Sequence, residues 1–211
     1  AIFTPKGLRD DIKAIEDFYG HFGYIEARVR AEKIPNTDTG TMDLIYHVTE
    51  GQKFYVEKVE VRGNTRTQDK VIRRELAILP GEVFDMVRVE LSKRRLEGTR
   101  LFDKVDTRDE QTDVPNKRDL IIGVEEGRTG NLIVGAGFSD YYGVIGNIGF
   151  TQSNFDLFNP PYFSGGGQKL RLDISAGGRM QNYNLRFVEP WFLGRQLSLS
   201  LDLYHRDIQY Y

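Results

Sequence analysis

From residue 131 onward, apolar and polar side chains alternate with period two in five segments. In the first, Leu132, Val134, Ala136 and Phe138 share a face, opposite Asn131, Ile133, Gly135 and Gly137. Val144, Gly146, Ile148 and Phe150 repeat the pattern, as do Leu170, Leu172, Ile174 and Ala176, then Tyr183, Leu185 and Phe187. The fifth sets Leu197, Leu199, Leu201 and Leu203 against Ser198, Ser200 and Asp202. Successive side chains of a strand point to opposite faces, so each segment predicts a strand with one apolar and one polar side. A soluble sandwich alternates in the same way. Two features favour a membrane. The uniform leucine face of 197–203 lacks the variety of shapes that a packed core uses. Aromatic residues collect at segment ends (Tyr141-Tyr142, Phe155, Phe158, Tyr162-Phe163, Trp191-Phe192), as an interfacial girdle would place them. Segments of about nine residues are also what a tilted strand needs to cross hydrocarbon.

The first part of the chain follows a different pattern, and it is repeated. Residues 42–51 (MDLIYHVTEG) align with residues 118–127 (RDLIIGVEEG), and upstream Leu8 and Ile12 correspond to Val87 and Leu91. In the complete copy, residues 54–62 alternate with one slip in phase and predict a strand ending at the turn Gly63-Asn64. Thr67 is placed to cap a helix with the apolar stripe Val71, Ile72 and Leu76, which Pro80-Gly81 ends. Asp85 caps a second helix carrying Val87, Leu91 and the basic run Lys93-Arg94-Arg95. Residues 101–108 and 119–125 predict two further strands around a loop with Pro115-Asn116, giving the order β-α-α-β-β. The earlier copy starts at its second helix: Thr4 caps, Pro5 takes the first position, and Leu8, Ile12, Ile15 and Tyr19 face one way.

Composition marks the same boundary. Residues 1–128 carry 48 of the charged side chains and residues 129–211 only 12, while 10 aromatics precede the switch and 15 follow it. The first part suits water and the second a drier setting. The net charge of −2 gives no footprint for a nucleic-acid partner, and zero cysteines exclude a disulfide framework or thiolate metal site. The chain offers no transmembrane helix and no signal peptide at Ala1-Ile2-Phe3-Thr4-Pro5.

The run Val59-Glu60-Val61-Arg62-Gly63-Asn64-Thr65-Arg66-Thr67, then Val71-Ile72-Arg73-Arg74-Glu75-Leu76, then Gly81-Glu82-Val83-Phe84 resembles a POTRA domain, and is most similar to the last POTRA before the barrel in the BamA family. Residues 154–170 and 182–195 are similar to that family's first barrel hairpins. The expected fold is therefore α+β POTRA modules (β-α-α-β-β) followed by antiparallel strands of a transmembrane β-barrel, incomplete here. Five strands cannot close a barrel, whose smallest members have about eight. The domains expected are the C-terminal part of a POTRA (1–51), a complete POTRA (52–128) and the first strands of an outer-membrane barrel (129–211). The chain opens inside a repeat and runs to Tyr210-Tyr211 in a strand-like stretch, so a fragment of a longer protein is expected.

The resemblance implies an assembly factor of the bacterial outer membrane, with its POTRA part in the periplasm. Implied partners are unfolded outer-membrane protein clients, accessory lipoproteins and the lipid bilayer. Client strands would pair with the POTRA edge at Phe102, Asp103, Lys104, Val105, Asp106, Thr107 and Arg108, by β-augmentation. Charges along that strand would equally serve to keep a bare edge from pairing. A lateral seam would lie at Asn131, Leu132, Ile133, Val134, Gly135, Ala136, Gly137 and Phe138. Gly135 and Gly137 either weaken that strand and expose its backbone or relieve crowding in the wall. Trp191 and Phe192 would be interfacial. If the first strand rises from the periplasm, residues 154–168 and 191–195 face the periplasm, and residues 140–143 and 177–181 face outward.

No chemistry of catalysis is legible. His21, His47 and His205 are scattered, and Gly165-Gly166-Gly167-Gln168-Lys169 lacks the following Ser/Thr and helix of a phosphate loop, so a strand-to-strand turn suffices. Gly135-Ala136-Gly137 is too short for a dinucleotide signature, and Lys93-Arg94-Arg95 reads as a solvated helix face or a contact for a partner or anionic headgroups. No cofactor, metal or enzymatic activity is expected. Rival readings are a two-partner secretion pore of the same superfamily, and a porin-like or structural β-protein.

Overall fold

The computed structural model describes residues 3–36, 38 and 40–209; Tyr210 and Tyr211, expected to continue a strand, lie outside the described residues. Contacts group the chain into two compact units, one of residues 1–62, 75–95 and 106–123, the other of residues 63–74, 96–105 and 124–211.

In the first unit, α1 (Pro5–His21) starts where the sequence says. The Thr4 hydroxyl accepts from Gly7 N at 3.0 Å and Pro5 occupies the first turn. β1 (Arg28–Asn36) and β2 (Thr41–Thr49) form an antiparallel pair. β3 (Tyr55–Arg62) runs parallel to β5 (Lys117–Glu126), and the slip in its hydrophobic phase is a bulge between Val56 and Val59, both buried. The sheet order is β3-β5-β4, so β4 (Phe102–Gln111) is an edge. Leu120, Ile121 and Ile122 are consecutive in β5 and all at or below 1% exposure, so both faces of this central strand are shut from water. Arg118 lies 4.7 Å over the Phe54 ring and pairs with Glu26, tying the two repeat copies together.

Two helices complete the β-α-α-β-β order, and each departs from the expected detail. α2 (Asp69–Arg73) has only five residues and is capped by Gln68 without a side-chain bond; Leu76 lies beyond it. Thr67, expected as the cap, is instead buried and bonded elsewhere. α3 (Met86–Gly98) is capped as expected, Asp85 Oδ1 accepting from Val87 N at 2.9 Å and Arg88 N at 3.2 Å. Its buried face is Val89, Ser92 and Leu96, whereas Val87 and Leu91 are exposed. Ser92 can be buried because its hydroxyl donates to Arg88 O and accepts from Ala77 N, both at 2.8 Å. Aligning the two copies on their caps, Thr4 and Asp85, therefore sets Leu8 against Val89 rather than Val87.

The second unit carries an antiparallel meander of β6 (Gly130–Ser139), β7 (Gly143–Phe155), β8 (Gln168–Gly177), β9 (Met180–Glu189) and β10 (Leu199–Ile208), in the order β10-β9-β8-β7-β6 among the described residues. β9 is longer than its alternation suggested, and Leu197 precedes β10 rather than lying in it. Register joins like with like. Leu132, Phe150, Leu172, Leu185 and Leu203 form one row across all five strands. Asn131, Thr151, Arg171, Arg186 and Asp202 form a row on the other face. A slip of one residue in any strand would exchange its faces, so these rows hold the register.

Candidate functional site

The β4 edge buries only two side chains. Phe102 and Val105 are buried, while Asp103, Lys104, Asp106 and Arg108 are exposed. Its charges are paired along the sheet: Lys104 lies 3.5 Å from Glu125, and Arg108 3.4 Å from Glu110, which also receives Arg62 at 2.9 Å. Such exposed pairs contribute little to stability, and they leave the backbone edge open to an extended chain.

β6 is an edge of the meander, hydrogen-bonded on one side to β7 along its whole length. Leu132, Val134 and Phe138 on its apolar face are 64%, 70% and 75% exposed, and Leu201 and Leu203 at the far side 53% and 55%. No protein layer covers that face among the described residues. Gly135 and Gly137 of β6 differ. A Cβ on Gly135 would meet Asn147 Oδ1 at 2.6 Å, whereas Gly137 has nothing within 4 Å. Gly135 thus sits against the Asn147 amide, and Gly137 faces open space.

A cluster of buried polar groups, missed from sequence, sits where residues 63–74 meet the β7–β8 connection. The β7–β8 ladder shifts register between Gln152 and Phe155, and bulges of this kind re-aim side chains. Asn154, inside the shift, donates from Nδ2 to the Thr67 hydroxyl at 2.8 Å and accepts from Gly167 N at 2.9 Å. Gln68 N donates to Gly165 O at 2.9 Å, and Gln68 Nε2 to Asp156. Each of the three glycines stands where a Cβ would meet a neighbouring atom closer than 3.0 Å. A Cβ on Gly165 would lie 2.3 Å from Arg66 O, and one on Gly167 2.8 Å from Val71 Cγ1. Both have positive φ, +106° and +72°. The glycine run is therefore a close-approach site as well as a strand-to-strand turn, and its composition was the available signal.

Glu126 clasps the other side of the same segment. Its Oε1 accepts from Thr67 N at 2.7 Å and Arg66 N at 2.9 Å, and its Oε2 from Arg66 Nε at 2.7 Å. Burial alone would raise this carboxyl; the Thr67 and Arg66 backbone amides with the Arg66 guanidinium outweigh it and hold it below the ordinary 4.5. Trp191, expected at the interface, lies with its ring 5.7 Å from the Arg74 guanidinium, and neighbouring Phe192 is half-buried. The histidines serve locally: His21 contacts Asp85 and His47 contacts Glu32, each at 2.9 Å, and His205 stacks on Tyr183. Among the described residues no three of His, Cys, Asp and Glu gather where they could hold a metal.

The chain matches the POTRA family, described as a surface antigen variable number repeat, at residues 1–51 and 54–127, and the Omp85 superfamily domain at residues 163–211. It is 32% identical over 196 residues to the outer membrane protein assembly factor BamA of Neisseria meningitidis, covering 90% of this chain and 23% of that protein. The BamA of Nitratidesulfovibrio vulgaris is 31% identical over 204 residues, covering 96% of this chain and 24% of that one. The crystal structure of BamA from Haemophilus ducreyi lacking POTRA domains 1–3 superposes with a TM-score of 0.83 at 28% identity, over 98% of this chain and 38% of that one. The chain thus spans about a quarter of the length of these curated relatives.

Two outcomes follow from the junction. Asn154→Ala leaves the Thr67 hydroxyl and Gly167 N–H without their bonds, at about 1–3 kcal/mol for each buried group. Denaturant unfolding should show that loss, and the Gly167 amide should exchange with deuterium faster than in the parent chain. Because the folded Glu126 carboxyl sits below 4.5, its contribution to stability is full above that pH and is lost as pH falls through the lower folded value. Glu126→Gln should be less stable at neutral pH and should lose stability less steeply below pH 4.5 than the parent; equal slopes would contradict this.

Proposed function

The chain belongs to the Omp85 superfamily, in its BamA family, and from that premise we propose that it is part of a factor that assembles and inserts outer-membrane β-barrels. In this reading the chain comprises the end of one POTRA (1–51), a complete POTRA (52–128) and the first barrel strands (129–211). The strands from β6 to β10 lie in the bacterial outer membrane and the POTRA part lies in the periplasm. What carries this reading is the one-sided meander: the row Leu132, Phe150, Leu172, Leu185 and Leu203 runs unbroken across five strands with Val134, Ile148 and Ile174 beside it, backed by a polar face with the ion pair Arg186–Asp202 at 2.5 Å. Strands of ten to thirteen residues suit the hydrocarbon thickness.

In this reading an unfolded client barrel first pairs, as an extended strand, with the backbone edge of β4 from Phe102 to Arg108. Accessory lipoproteins hold the POTRA part in place. The client then meets β6, where Gly137 faces open space, and residues 131–138 template its first hydrogen bonds at a lateral seam. Pairing before entry matters because an unpaired peptide group in lipid costs several kcal/mol.

Two experiments test this. A cysteine at Tyr162, 80% exposed in the β7–β8 connection, should resist a membrane-impermeant label in intact cells, whereas one at Gly178 in the β8–β9 turn should react; the reverse pattern overturns the topology. A cysteine at Gly137 should form disulfides with cysteines in a terminal strand of a client during its assembly. Absence of a crosslink at every client position removes the seam.

A further inference from the structure

The connections at one end of the meander carry apolar side chains that nothing among the described residues covers. Phe158 and Tyr162 between β7 and β8, and Leu193 between β9 and β10, are 84%, 80% and 81% exposed, more than any leucine on the strands themselves. Leu193 is held in this position with a φ of +56°, a left-handed conformation that a leucine rarely adopts.

Beside these tips lies a cavity of about 410 Å³, with Lys70 and Arg74 from the segment around α2 on one side and Phe158 and Trp191 from the connections on the other. The charges lining it are not equivalent. Asp156 is buried and accepts from Gln68 Nε2 and from Phe158 N at 3.0 Å. Glu189 accepts from Gln168 Nε2 and Trp191 N, both at 2.9 Å. Both carboxylates are therefore engaged by neutral amide donors. On the cationic side, Arg66 is committed to Glu126 and Arg73 to Asp69. Lys70 is exposed and has no carboxylate within 4.0 Å among the described residues. Arg74 lies over the Trp191 ring, which fixes its guanidinium at the cavity wall.

We propose that this cavity holds the phosphodiester headgroup of an anionic phospholipid, with Lys70 and Arg74 at the phosphate and Phe158, Tyr162 and Leu193 among the acyl chains. A pocket with Lys70 and Arg74 in its wall and Asp156 and Glu189 held by amide donors, beside exposed apolar tips at the end of strands long enough to cross hydrocarbon, offers cations to a phosphate and apolar surface to acyl chains. A soluble phosphate ester would use the cations and leave the tips in water. The inference rests on the reading of the meander as a membrane wall. It adds a specific lipid site on the POTRA side of that wall, in contact with the segment that Asn154 and Glu126 clasp.

The test uses native mass spectrometry of the full-length protein in detergent, titrated with phosphatidylglycerol or phosphatidylcholine. One saturable phosphatidylglycerol adduct is expected that phosphatidylcholine does not reproduce, weakened roughly tenfold by Lys70→Glu and less by Lys70→Gln. Leu193→Ser, away from the cations, should also weaken it, and it serves if Lys70→Glu fails to give the folded protein's electrophoretic mobility. Equal adducts of both lipids, unchanged by either Lys70 variant, overturn the headgroup site. Glycerophosphoglycerol competing as well as the intact lipid overturns the role of the apolar tips. Failure of the parent protein to float with phospholipid vesicles overturns the membrane wall itself.

Discussion

A peptide group in hydrocarbon has no water to bond to, so every N–H and C=O there must find a partner in the protein. This constraint shapes the second half of the chain. It demands neighbouring strands in continuous register, and the meander supplies them, each strand paired with the next. It also makes any unpaired edge costly, and therefore attractive to another strand that needs the same thing. β4 at the margin of the POTRA sheet and β6 at the margin of the meander are such edges. In the proposed reading, the same backbone chemistry that holds the wall together receives a client.

Register and side-chain chemistry reinforce each other. Because the side-chain period is two, the row Leu132, Phe150, Leu172, Leu185, Leu203 exists only if all four pairings are in phase. The lipid-facing side carries no shape-matched partner, which is why plain leucine suffices on β10. The polar side can tolerate glycine, asparagine and charge. The bulge in β7 marks where this regularity ends. There the chain turns Asn154 toward Thr67, and Gly165 and Gly167 of the next connection let residues 66–71 approach its backbone. A wall that must be regular for lipid becomes irregular where it meets protein.

Much of this was legible from local pattern. Period-two alternation marked all five strands, the caps Thr4 and Asp85 marked the long helices, and the slip in phase near Val56 marked a bulge. What escaped depends on partners distant in sequence. Thr67 has the chemistry of a cap, but its hydroxyl is taken by a residue 87 positions away. α3 offered two apolar spacings, and the one that is buried includes a serine whose polarity is cancelled by bonds to Arg88 and Ala77. The glycine run was visible, but which backbone it admits was not. Sequence spacing reports the face of an element and is silent about what is packed against it.

The central claim is that the leucine face of the meander touches acyl chains. Nitroxide labels placed one at a time along residues 199–205 of the full-length protein in vesicles test it directly, by comparing collisions with dissolved oxygen and with a water-soluble nickel complex. The account predicts oxygen-rich, nickel-poor environments at 199, 201 and 203 and the converse at 200, 202 and 204. Loss of that alternation, or leucine positions shielded from both reagents by a second layer of protein, would contradict it.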